Sequence, residues 1–103
     1  MSATTIHFVR HGKVYNPDHL LYERLPDFHL SDLGRRMAQA TAAYLANSPQ
    51  TNTISAVYSS PLDRTRETAD AILDALNPVR EARGEAPLML TADERVIEAG
   101  NEF

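Results

Sequence analysis

The chain has no cysteine. That excludes disulfide staples, thiolate nucleophiles and cysteine metal sites. Positive charge is also scarce, with ten Lys and Arg against fourteen Asp and Glu, a net charge of −4 at pH 7. No global basic field is available to hold nucleic acid or an anionic membrane, so neither is expected as a partner. A local arginine pocket is compatible with this balance and is the more selective for it. No apolar run approaches membrane-spanning length. The opening MSATTIHFV lacks a basic segment leading into a long apolar one, so no secretory leader is expected and a cytoplasmic location is. There is no internal repeat, low-complexity tract or linker. What remains is 103 residues, 43% hydrophobic and 23% charged, the balance of one small globular domain with a modest core.

Along the chain, short apolar runs alternate with helical patterns. Residues 4–9, TTIHFV, read as a buried, parallel strand because they are β-branched and apolar over a short span. Residues 12–30 carry Gly12, Pro17 and Pro26 with no period and read as a long loop, of the kind that is usually functional or disordered. Ser31 is a candidate N-cap for a helix in which Leu33, Met37, Ala40 and Tyr44 recur at helical spacing, ending at Asn47-Ser48-Pro49. Residues 54–59, ISAVYS, read as a second strand. Ser60-Pro61 then opens a second helix with Ser as cap, Pro at the first position and Asp63 completing a capping pattern. Leu62, Thr65, Ala69, Ile72 and Leu76 form its stripe, and Asn77-Pro78 is read as its stop. Residues 80–87 read as a loop, and Leu88-Met89-Leu90 as a third strand. The order β, loop, α, β, α, β predicts a parallel sheet with helices packed on it. A sheet of three strands ending in DERVIEAGNEF would leave its edges poorly covered, so the expectation is one incomplete domain over residues 1–103.

Ligands of open parallel sheets bind at the carboxyl ends of the strands. Arg10 and His11 end the first strand. The second leads into a helix whose first turn holds Arg64, at the end where the backbone itself attracts anions. Two guanidinium forks and a histidine around one point describe a phosphate site. Either motif alone reads equally as a solvated strand end or a capped helix with a surface arginine. Both at the ends of adjacent strands point to a pocket.

FVRHG, SSPLDRTRETA, the LSDLGRRMA helix start and the DERVIEAGNEF tail together resemble the histidine phosphatase superfamily, the phosphoglycerate mutase-like family, over nearly the whole chain. The resemblance implies a three-layer α/β sandwich on a parallel sheet, here truncated to its N-terminal part. It implies that His11 is a nucleophile forming a phosphohistidine. Arg10 and Arg64 would clamp the phosphoryl oxygens in the transition state. Gly12 would let the backbone pass close to the phosphate, and Asn16 matches the family's asparagine after the RHG motif. Lys13 stands where many members carry an acidic or polar residue. A carboxyl group must protonate the leaving alcohol and then activate water, a contribution of roughly 10²–10⁴-fold. Glu98 best matches the family's glutamate, with Glu94 as the alternative.

The remaining histidines fit no catalytic pattern. His7 is expected to pack within its strand, and His19 and His29 to face solvent from the loop. No spacing among them resembles a metal site, and no cofactor is expected. Tyr15, Tyr22, Arg24 and Phe28 either line a substrate entrance or pack over the core. The family's second essential histidine, in a Ser-His-Gly setting, has no counterpart in this sequence. The leading expectation is a phosphomonoesterase acting on a small phosphorylated substrate. The alternatives are a cofactor-dependent phosphoglycerate mutase and a non-catalytic module that binds a phospholigand. An uncovered sheet would also favour a homo-oligomer.

Overall fold

The computed structural model describes residues 6–11, 14–16 and 29–95. Within them the order is α1 (Asp32–Asn47), β1 (Val57–Ser59), α2 (Asp63–Ala82) and β2 (Leu90–Ala92). The strands are parallel, with Val57 opposite Leu90, Tyr58 opposite Thr91 and Ser59 opposite Ala92. α2 is the crossover between them, as a parallel pair requires. No helix among the described residues is long and apolar enough to cross a membrane.

α1 begins where Ser31, in extended conformation, turns its Oγ to accept the Gly34 N–H at 3.1 Å. It ends at Asn47, just ahead of Pro49. Beyond it, the buried Thr51 hydroxyl donates to the Leu45 carbonyl at 2.7 Å and covers a group the helix end leaves unpaired. The face α1 buries differs from the expected one. Gly34, Ala38, Ala42, Leu45 and Ala46 turn inward, while Leu33, Met37 and Tyr44 are exposed. Small side chains let the two helix backbones approach closely, so the alanine stripe, rather than the stripe of larger residues, packs on α2. Ala42, Leu45 and Ala46 meet Ile72 and Leu76 of α2 in the core, flanked by Ile54, Ala71, Ala75, Val79 and Leu88.

α2 departs from expectation at both ends. Ser60 does not cap it. Leu62 is the N-cap residue, extended and without a side-chain capping bond. Pro61 pushes Ser60 out of helical conformation, and the Ser60 hydroxyl pairs instead with Thr65 Oγ1 at 2.6 Å. At the other end, Pro78 does not stop the helix, which continues to Ala82. Pro78 and Asp74, whose carbonyl the proline leaves unbonded, are both exposed, so water can satisfy that carbonyl. On the opposite side Leu76, fully buried, and Val79 hold the helix to the core. The end is a Schellman turn. Gly84, at φ +76°, lets its N–H reach the Glu81 carbonyl and the Glu85 N–H reach that of Arg80, at 3.0 and 2.9 Å. Residues 80–82, read as loop, are therefore helix.

Asn77 is the hinge between helix and sheet. Its side chain accepts the Leu88 N–H at 2.7 Å and donates to the Leu88 carbonyl at 3.1 Å, imitating a strand neighbour just before β2. β2 accordingly forms at residues 90–92 rather than 88–90.

The first expected strand is also corrected. Residues 6–9 form no strand, and residues 4 and 5 lie outside the described residues. Ile6 is 69% and Phe8 77% exposed, and His7 is exposed rather than packed. An apolar run becomes a buried parallel strand only where neighbours pair its backbone and helices cover its faces. Among the described residues the sheet has two strands, and neither pairs with this segment. The α/β class and parallel pairing therefore stand, with two strands rather than three in the sheet among the described residues.

Candidate active site

β1 and β2 finish side by side. Past the last pair of residues, the Asp93 N–H donates to the Ser59 carbonyl at 2.8 Å. The chain leaving β1 leads through Ser60 to Arg64, and the chain leaving β2 leads to Glu94. Asp93 closes a tight turn on Arg95, whose guanidinium and backbone N–H both donate to its carboxylate. Those bonds lower the Asp93 pKa from 3.8 to about 2.

Arg64 is the second residue of α2. It is only 2% exposed, and no buried side-chain nitrogen or oxygen among the described residues lacks a partner. Its carbonyl accepts from the buried Thr68 hydroxyl at 2.8 Å. An arginine so placed is a fixed charge at the N-terminal end of a helix, where the backbone itself favours an anion.

Arg10 is exposed, while His11 and Asn16 are partly buried. Gly12, Lys13 and Glu98 lie outside the described residues, as do His19, Tyr22, Arg24 and Phe28. Glu94 and Tyr15 are exposed. No group of three metal-ligating side chains gathers among the described residues.

What links the RHG segment to α2 is a neck that sequence spacing did not reveal. Val14 pairs with Leu30 in an antiparallel bridge, and the Tyr15 N–H donates to the His29 carbonyl at 2.8 Å. Val14 and Leu30 are both buried. The Leu30 N–H then donates to Glu67 Oε1 of α2 at 3.0 Å. His29 is exposed, as expected, yet not unengaged. Its Nδ1 lies 3.3 Å from Glu67 and its Nε2 3.4 Å from Asp63. Arg35 of α1 pairs with the second Glu67 oxygen. Asp63, read as a capping residue, thus contacts His29 at the loop exit. His11 lies three residues before Val14, so the chain holds it within about 10 Å of the neck.

Two proteins of Mycobacterium tuberculosis are similar to this chain. They are the uncharacterized protein Rv0525 of strain H37Rv and the uncharacterized protein MT0547 of strain CDC 1551. Each is 43% identical over 100 residues, covering 97% of this chain and 43% of the relative. The chain therefore spans less than half the length of these relatives. No solved structure matches it. The model of the histidine phosphatase superfamily (branch 1) matches residues 6–95, a span holding Arg10, His11, Asn16 and Arg64. This chain belongs to the histidine phosphatase superfamily.

Proposed function

We propose that the chain carries the nucleophile and phosphate-clamp portion of a phosphomonoester hydrolase, within the family's three-layer sandwich. The His11 imidazole attacks phosphorus, a P–N bond forms, and the ester P–O bond breaks. Glu98 gives its proton to the departing alcohol oxygen. Glu98, now a carboxylate, takes a proton from water. The water oxygen attacks phosphorus and the P–N bond returns its electron pair to His11, releasing phosphate. Arg10 and Arg64 hold the phosphoryl oxygens while charge spreads over them. Gly12 keeps the backbone close to the phosphate, and Asn16 adds a neutral donor. The substrate class is a small phosphomonoester.

One observation carries this reading. Arg64 is fixed, buried, at the start of α2 directly beyond the carboxyl end of β1, in a chain whose family match includes the RHG segment. The alternative reading is a module that binds a phospholigand without turnover. Phosphate release from an aryl phosphate, measured beside His11→Ala, separates the two. Hydrolysis requires turnover that disappears in the variant. A folded chain that binds inorganic phosphate but shows no turnover above the variant is a binding module.

A further inference from the structure

Glu67 of α2 is the point where the loop exit and the first turn of α1 are tied to that helix. Its Oε1 accepts the Leu30 N–H at 3.0 Å and lies 3.3 Å from His29, and its Oε2 pairs with Arg35. Its side chain is 19% exposed, so these bonds are partly shielded from water and strengthened for it. The Leu30 bond spans 37 residues of sequence. On the far side of Leu30 lies Val14, with His11 three residues before it in sequence. On the near side, one helical turn before Glu67, lies Arg64. His29 adds a parallel tie to Asp63, the residue before Arg64. The neck therefore grips α2 immediately before and one turn after the buried arginine.

We propose that Glu67 is a positioning residue for the anion site. Its carboxylate clamps the Val14–Leu30 neck to the helix that carries Arg64, and so sets how far His11, three residues before Val14, can lie from the Arg64 guanidinium. This rests on reading Arg10, His11 and Arg64 as a phosphate site. It adds that the site's geometry is controlled by a residue that touches no phosphate. A guanidinium clamp is effective only when its partners are pre-placed, because a misplacement of about 1 Å is costly to a reacting pair.

The test is a titration with inorganic phosphate followed by NMR, with amide hydrogen exchange at Tyr15 and Leu30, on the whole chain. Wild type is compared with Glu67→Ala, Glu67→Gln and Thr51→Val. Thr51 lies at the far end of α1 and serves as a general destabilisation control. Glu67→Ala is expected to speed exchange at both amides and to weaken phosphate binding roughly tenfold. Glu67→Gln keeps an acceptor for Leu30 but loses the Arg35 pair, so a smaller loss is expected. Thr51→Val is expected to lower the unfolding midpoint with phosphate affinity unchanged. The proposal is overturned if Glu67→Ala exchanges faster yet binds phosphate like wild type, or if Thr51→Val weakens binding equally. Should Glu67→Ala not fold, wild-type affinity in Glu67→Gln overturns it. A wild-type chain that binds no phosphate while its Tyr15 and Leu30 amides stay protected sinks the phosphate-site reading itself, with the neck intact.

Discussion

The helix pair and the sheet side are built by different rules. Between α1 and α2, small residues face large ones and the core closes, with Leu76 wholly buried. Outside that seam, Ile6, Phe8, Tyr58 and Met89 remain exposed. Polar ties do much of the holding there: Asn77 on Leu88, Glu67 on Leu30, and Asp93 N–H on the Ser59 carbonyl. Two-stranded sheets are marginal unless a helix packs on them, and α2 supplies that helix. Stability is thus concentrated in the helices. The chemistry is proposed at the looser side, where catalytic groups come from strand ends and loops.

The contrast is tested most severely by truncating one apolar side chain on each side. Leu76→Ala removes the centre of the closed core and is expected to cost about 2–5 kcal/mol of unfolding free energy. Met89→Ala, at a residue 83% exposed, is expected to stay within about 0.5 kcal/mol. Denaturant melts of the two variants check this, and equal costs would erase the distinction. Next in size is Gly84→Ala. Space is open around the position, so the expected loss of about 1–2 kcal/mol comes from forcing a side chain into the left-handed region. An unchanged melting temperature would mean that the Schellman turn is not needed to hold the end of α2. Ser31→Ala should cost about 1 kcal/mol through the lost cap, read as a lower denaturant midpoint.

The smallest effect lies at the strand ends. Asp93 has a depressed folded pKa, so its contribution is present above the unfolded value near 3.8 and fades as pH falls toward about 2. Stability of wild type relative to Asp93→Asn should therefore narrow across that acid window and be flat above pH 5. A gap that widens on acidification would contradict the Arg95 bonds as its cause.

Much of the helix pair was legible because caps and breakers are local. Ser31 and Pro49 bracket α1 as read, and four of the five residues in the α2 stripe are buried, Thr65 being the partial exception. The α1 face was misread because side-chain size, not hydrophobicity alone, decides which stripe meets a close-packed neighbour. Pro78 misled because a breaker signal carries no knowledge of the packing and the Asn77 bonds that override it. Residues 6–9 misled because a strand is a property of its neighbours. The place of Arg64 in the first turn of α2 was legible from its motif. Glu67, Asp63 and His29 were not, since their partners lie more than thirty residues apart and share no spacing pattern.

The most direct test of the central claim is intact-mass and peptide mass spectrometry of the chain after rapid mixing with an aryl phosphate. A phosphoryl group on His11, absent from His11→Ala and much reduced in Arg64→Ala, is the predicted result. A folded chain that hydrolyses the substrate with no label at His11, or that carries the label elsewhere, would contradict it.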